Sequence, residues 1–544
     1  MANENYISMS IGSNIERVPK NIVFCSMIGG RSHVKPVLEI GRLLMKRSHN
    51  FTIVAPNARK TVKNEYPQIS LYDLDPVMKE HSSESRKLYQ EEFNINHLQI
   101  LARQLEAHYS HVFNNLKRVA LEKKADLLIC DVVAQPCVDV AWTLKIPVVI
   151  FGGALGLASY KSDPMFGCHV TLEGKSFFER FRCVIIQHSQ TAFYWYKSSV
   201  KYFNQERISV GIEPVSYPTE RTRNSLFLAN TFFGFEIAET LPPLYQEIGP
   251  IMYDSYPPLT TSLESFINSH ERIIYIAFGD RFYTTPENNG KILKSVLELL
   301  TTKNLDGAIW ALTQTPMTDF PSTINLQSGI SINTTTILTN SNPHIKILDW
   351  APQFAVLNHT NVKIFLTHGG IESIFEALYT ATPMLIMPLY VDQYGNAEKL
   401  TMQGCALTVS KLALDEKDLF ENITRLLTDH SIAQNLKRMQ IFARINRLRK
   451  YRAADLIELV MYTAKHVEGA GNIPIVSEWQ TADARIGVWR AENWDVWVFA
   501  SISCLLLVVT AGLIGIKILK FANRWIIIRW FSRTTNRNTK EKSQ

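Results

Sequence analysis

What this chain lacks narrows it before what it has. Its seven cysteines, at positions 25, 130, 137, 168, 183, 405 and 504, form no C-x-x-C pair, so neither a zinc site nor a disulfide framework is expected. Excess charge is missing from most of its length. From Lys517 onward there are eight Lys or Arg against one Glu, which accounts for the whole net charge of +7 and leaves 49 basic and 49 acidic residues in 1–516. A neutral body argues against nucleic acid as a partner, because such domains carry a basic face. The opening MANENYISMSIGSNIERVPK has no apolar core of the kind a cleavable signal carries. One long apolar run is present instead at 496–516, 21 residues without a charge. At about 1.5 Å rise per residue it spans roughly 30 Å, the thickness of a bilayer's hydrocarbon core. Trp489, Trp494 and Trp497 on one side and Trp525 and Trp530 on the other suit interfacial aromatic belts, so a single-pass C-terminal anchor is expected.

Some 470 residues outside that end are too many for one core and suit two. The expected division is an extension (1–20), a first Rossmann-like domain (21–241), a proline-rich linker (242–272), a second Rossmann-like domain (273–446), closing helices (447–495), the membrane helix (496–516) and a basic tail (517–544). The first domain opens with NIVFCS, a buried strand, then the loop MIGGRSH, a helix starting near Pro36, and FTIV, a second strand. The loop lacks a full G-x-G-x-x-G, so a dinucleotide is not indicated. His33 stands in it at the strand's C-terminal end, the usual address for chemistry in an open α/β sheet. Asp131, closing the strand LLIC, can orient that histidine better than Asp126 or Asp139.

The densest chemistry lies at 350–396, WAPQFAVLNHTNVKIFLTHGGIESIFEALYTATPMLIMPLYVDQYGN. KIFLT reads as a buried parallel strand and 371–378 as a helix packed on a sheet. Between them, His368-Gly369-Gly370 lets backbone approach a ligand, and the unpaired N–H groups that open the helix suit phosphate. Ser373 adds a donor, Glu376 can accept from ribose hydroxyls, and Trp350 offers a flat face. Asp392 and Gln393 emerge after the apolar run MLIMPLY, at a strand end.

This ordered set resembles the nucleotide-sugar signature of the UDP-glycosyltransferase family, the membrane-anchored UDP-glucuronosyl and UDP-glucosyl transferases. The resemblance implies an α/β chain of the GT-B class, with two facing Rossmann-like domains whose final helices cross back onto the first. It implies that Trp350 stacks on uracil and that Gln353 and Glu376 hold the ribose. His368, Gly370 and Ser373 would bind the diphosphate, and Asp392 and Gln393 would read the sugar hydroxyls. Gly30-Arg31-Ser32-His33 matches the family's general base, giving inverting transfer by His33 and Asp131 with no metal and no cofactor beyond the UDP-sugar. Two positions depart from the pattern: Glu372 replaces a common Asn, and Asp280 a common Ser or Thr. A carboxylate about 6 Å from a phosphate charge costs on the order of 3 kcal/mol at an effective dielectric near 20, so either these side chains turn away or donor binding is altered.

Rival motifs carry less. Asp73-Leu74-Asp75 spells the D-x-D of metal-dependent transferases but precedes Pro76 and reads as a turn, while His108 and His111 lack a third ligand nearby. The aromatic and basic stretch 177–203 suits an interfacial surface or a wall of an apolar acceptor pocket, and an ordinary packed amphipathic helix equally. The expected reaction moves a hexose, glucose by default and glucuronate if a cation faces the sugar, from UDP to a lipophilic alcohol such as a sterol, lipid or hydrophobic metabolite. The alternatives are a non-catalytic UDP-binding membrane protein and an N-acetylglucosaminyltransferase acting on a lipid carrier. The basic tail places the enzyme on the lumenal side of the endoplasmic reticulum by the positive-inside rule, against a cytosolic tail anchor suggested by the N-terminus. Sequons at Asn50, Asn333, Asn358 and Asn422 do not decide between them.

Overall fold

The computed structural model describes residues 18–62, 66–76, 90–153, 167–313, 315–468, 471–481, 486 and 488–540. Most of the expected N-terminal extension and the last four residues of the basic tail lie outside them.

Seven short apolar runs form one parallel sheet: β1 (Asn21–Cys25), β2 (Asn50–Pro56), β3 (Ser70–Leu74), β4 (Leu127–Asp131), β5 (Val148–Gly152), β6 (Leu226–Ala229) and β7 (Tyr245–Glu247), in the order β3-β2-β1-β4-β5-β6-β7. β1, β4 and β5 are almost continuously buried, as strands covered on both faces must be. The second sheet contains β8 (Ile273–Ala277) and β9 (Gly307–Ala311). A separate antiparallel pair, β10 (Thr323–Asn325) and β11 (Ser331–Asn333), intervenes before β12 (Ile345–Leu348), β13 (Val362–Thr367), β14 (Met384–Ile386) and β15 (Ala406–Thr408). Its order is β12-β9-β8-β13-β14-β15. In each sheet the order reverses beside the first strand, between β1 and β4 and between β8 and β13, and such switch points open a crevice at the strands' carboxyl ends.

Helices placed at those crevices are α1 (Arg31–Lys46) after β1, α2 (Gln135–Leu144) after β4, α3 (Ile371–Thr380) after β13 and α4 (Gln393–Met402) after β14. α1 begins five residues earlier than Pro36 suggests, so the proline is interior. Its ring removes only one N–H, the one that would return to the carbonyl of Ser32, and the helix continues because its other face buries Val34, Val37, Leu38 and Leu44. α5 (Arg449–Thr463) returns to the first domain and packs on α1, with Ala453, Leu456 and Ile457 in that domain's core. Lys450 of α5, 4 % exposed, reaches Glu39 Oε2 of α1 and the Met252 carbonyl at 3.1 Å each and also meets Asp254.

Two expectations need correction. The linker is partly structured, because β7 joins the first sheet and a helix covers Thr261–Asn268. The cysteines do pair, Cys130 with Cys137 and Cys168 with Cys183, at spacings that a motif search for C-x-x-C overlooks. Asp73 faces Arg59 (3.1 Å), and His111 faces Asp75 (3.5 Å). The uncharged run 496–516 lies within a longer helix, α6, which runs over Trp494–Lys540 and carries the candidate membrane span at Trp494–Trp530. The chain divides into two compact units, Met1–Trp479 and Gln480–Gln544, the second containing α6.

Candidate active site

Between the two sheets lies a cleft of about 1060 Å³, lined by His33, Trp350, Gln353, His368, Glu376 and Asp392 among others. On the first-domain wall, β1 ends in a turn through Gly29 (φ 64°) and Gly30 (φ 78°), a left-handed path that glycine takes without strain. A side chain at Gly30 would also collide with the Arg281 guanidinium from the opposite domain. The turn puts His33 in the first turn of α1, beside the end of the neighbouring strand β4, since Cys25 pairs with Cys130.

His33 Nδ1 lies 2.7 Å from Asp131 Oδ2. Asp131 is 2 % exposed and also accepts from Ser26 Oγ at 2.6 Å, while Ser26 Oγ accepts from the Gly29 N–H at 3.1 Å. An ionised carboxylate can only accept, so Nδ1 carries the hydrogen and Nε2 keeps its lone pair. Burial pulls the imidazole down in pKa, but the charge of Asp131 and its hydrogen bond outweigh this and hold His33 above its ordinary value; Arg281 opposes and Asp392 adds to the rise. Ser26 escaped sequence reasoning, although its place at the end of the same strand was a usable signal.

On the second-domain wall, Gly369 (φ 84°) turns the chain from β13 into α3. His368 packs against Gly279 and Gly370, where any Cβ would sit 2.9 and 2.5 Å from its ring. Burial lowers this imidazole to a pKa of about 3, so it is neutral and retains one N–H for an anionic oxygen. Ser373 Oγ and Glu376 Oε2 both receive bonds from Gln353 Nε2, at 3.0 and 2.9 Å, which fixes the three as one polar cluster. Burial, then the charge of Glu372, pushes Glu376 up to about 8 against the Gln353 hydrogen bond. Trp350 is 48 % exposed and faces the Arg31 guanidinium 5.7 Å from its ring centre.

Asp392 receives Asn396 Nδ2 at 2.8 Å, and Asn396 also reaches the Gly369 carbonyl at 3.1 Å. Burial raises the Asp392 carboxyl, with Asn396, Lys399 and His33 opposing. Gln393 spends its carbonyl on the N–H groups of Leu389 and Tyr390 (2.8 and 2.9 Å), leaving its amide as the free end. Asn396 and Arg281 were not foreseen; Asn396 lies one helical turn after Asp392, a spacing that could have suggested it. Nine of the ten residues singled out from sequence line this cleft, and the tenth, Asp131, contacts His33.

Both departures from the family pattern line it as well. Glu372 receives the Tyr253 hydroxyl at 3.2 Å. Burial and the charge of Asp280 raise Glu372 to about 7, against Tyr253, Lys35 and Arg31.

The sequence model of the family described as UDP-glucoronosyl and UDP-glucosyl transferase matches residues 30–472. The chain belongs to this family. Among similar proteins, a UDP-glycosyltransferase of Talaromyces amestolkiae is 28% identical over 95% of this chain and 99% of its own. UDP-glycosyltransferase 1 of Phaeomoniella chlamydospora is 31% identical over 72% of this chain and 81% of its own. A solved UDP-glucosyltransferase from Polygonum tinctorium that glucosylates indoxyl matches 81% of this chain and 99% of its own, with a TM-score of 0.57 and 16% identity. The transferase thus has the GT-B fold.

Proposed function

We propose that this UDP-glycosyltransferase transfers glucose from UDP-glucose to a hydroxyl of a lipophilic small molecule, with inversion, using His33 as general base and Asp131 as its orienting acid. The observation that carries the reading is the 2.7 Å His33–Asp131 contact in the same cleft as Trp350, Glu376 and Asp392. Asp131 holds the Nδ1–H tautomer, so Nε2 takes the acceptor's proton as its oxygen attacks the anomeric carbon. The bond from that carbon to the diphosphate breaks, and UDP leaves with the electron pair. His368, Ser373 and the N-terminus of α3 lie where they would stabilise the charge that develops. Trp350 would stack on uracil, and Gln353 and Glu376 would hold the ribose. Asp392 and the Gln393 amide would read the sugar hydroxyls.

Glucose is the default donor, since Asp392 and Gln393 would serve the hydroxyls of glucose and glucuronate alike. Arg281 lines the same cleft and offers a cation to glucuronate, so both donors belong in the test. A lipophilic acceptor is supported by the helical segment 177–209. Its Trp195 lines the cleft, while Phe177, Phe178, Phe181 and Ile185 are exposed on its outer side. α6 is long and apolar enough to cross a bilayer, and we read it as the anchor. The two disulfides suit an oxidising compartment, which favours the lumen of the endoplasmic reticulum.

The test is detergent-solubilised full-length protein with UDP-glucose, UDP-glucuronate or UDP-N-acetylglucosamine and a pool of lipophilic alcohols, reading UDP release beside His33→Ala. Acceptor-dependent release from UDP-glucose that disappears in the variant is expected. Bound UDP with no release from any donor would leave a binding protein instead, and transfer only to water-soluble sugars would end the lipophilic reading.

A further inference from the structure

Glu372 is the second residue of α3, beside the N–H groups that would receive the donor's diphosphate. In the empty cleft its carboxylate competes for the same positive helix end. When a diphosphate arrives, Glu372 must withdraw, pair with a cation or take up a proton. Withdrawal is opposed by Tyr253, whose hydroxyl holds Glu372 Oε1 at 3.2 Å. The cations of α1 on the facing wall act on Glu372 through space, while Arg31 lies over Trp350 at 5.7 Å and Lys35 over Tyr253 at 5.4 Å. The remaining groups that face it are Asp280 from the loop after β8, Glu376 one turn along α3, and Tyr256 from the linker.

We propose that Glu372 takes up one proton from solvent as the UDP-sugar binds and, as a neutral acid, donates a hydrogen bond to a phosphate oxygen. The proposal rests on the donor site assigned above. A protonated carboxylic acid offers an O–H donor to a phosphate oxygen, where the carboxylate could only repel it. Burial and Asp280 already hold Glu372 at about 7 with Arg31 and Lys35 in place, and two phosphate charges push in the same direction. Glu376 has the opposite sign in binding, because accepting from ribose favours its ionised form, so the two carboxyls separate by variant.

The experiment is calorimetric titration of the full chain in detergent with UDP-glucose, whose diphosphate carries no titrating proton near neutral pH, in buffers of different ionisation enthalpy. Net uptake approaching one proton per donor is expected at pH ~9, where both carboxyls are ionised in the free protein, turning to net release below pH ~7.5 as Glu376 gives up its own proton, with Kd rising by up to roughly tenfold per pH unit near pH ~9. Glu372→Gln removes the uptake and flattens that rise, whereas Glu376→Gln removes the opposing release and extends the uptake to lower pH. If Glu372→Gln lowers the melting temperature too far, Glu372→Asn serves in its place. No uptake in the wild type at pH ~9, or the same uptake in the Glu372 variants, overturns the proposal while leaving the donor site intact. No UDP-glucose or UDP binding at any pH overturns the donor site and the proposal with it.

Discussion

At the scale of single residues, the proposed base is an imidazole whose basicity depends on a buried partner. The His33 pKa is raised, so its base form is lost as pH falls through a value above the ordinary one near 6.5. The kcat/KM profile should therefore drop on its acid side above pH ~6.5, and Asp131→Asn should move that limb to lower pH while reducing kcat by a factor on the order of a thousand or more, measured against UDP release. A buried ion cluster shows the structural counterpart. Asp139 is fully buried and holds Arg207 Nε at 2.8 Å, the Tyr109 hydroxyl at 2.5 Å and Arg221. Asp139→Ala strands two guanidiniums and should cost about 3–5 kcal/mol in chemical denaturation, with His33 and the donor site untouched. The sequence already prefers Asp131, which closes a strand, to Asp139 in the next helix. Their partners, 98 and 68 residues away, give the proposed orienting acid and the structural one their physical distinction.

At the scale of elements, the donor wall is built by a strand, a glycine turn and a helix start. Gly370 has φ −65°, so its backbone would accept alanine, but the added Cβ would meet His368 Nε2 at 2.5 Å. Gly370→Ala should raise the Kd for UDP by about tenfold to a hundredfold, from roughly 1–3 kcal/mol of overpacking, with the far-ultraviolet spectrum unchanged. This element was legible in the chain because all its parts lie within 47 consecutive residues and depend on local rules: apolar runs for strands, glycines for the turn, unpaired N–H groups for the anion. The start of α1 was not, since Pro36 looks like a first helical residue and only the packing of α1 on the first sheet carries the helix back to Arg31. The stretch 177–203 was read as three alternatives. It is helical, with Trp195 at the cleft, an exposed outer face and π-helical turns at Arg182–Gln187 and Tyr196–Tyr202.

At the scale of the whole molecule, the candidate site and the long apolar helix fall in different units, Met1–Trp479 and Gln480–Gln544. A chain ending at Trp479 should keep UDP affinity within about twofold and move from the membrane pellet to the soluble fraction, whereas ending before Arg449 should strip α5 from α1 and abolish cooperative unfolding. Continuous features were determined by the sequence alone: the donor signature at 350–396, the apolar span, and the neutral charge of the body, because each follows from neighbours in the chain. What folding decided is everything that needs two distant segments at once. The approach of His33 to Asp131, the pairing of Cys130 with Cys137 and of Cys168 with Cys183, and the facing of Arg31 and Lys35 toward Glu372 all required the sheets and the cleft between them. The protonation of Glu372 is the clearest case, since burial and through-space charge are properties of a position in three dimensions and have no value along a line of residues.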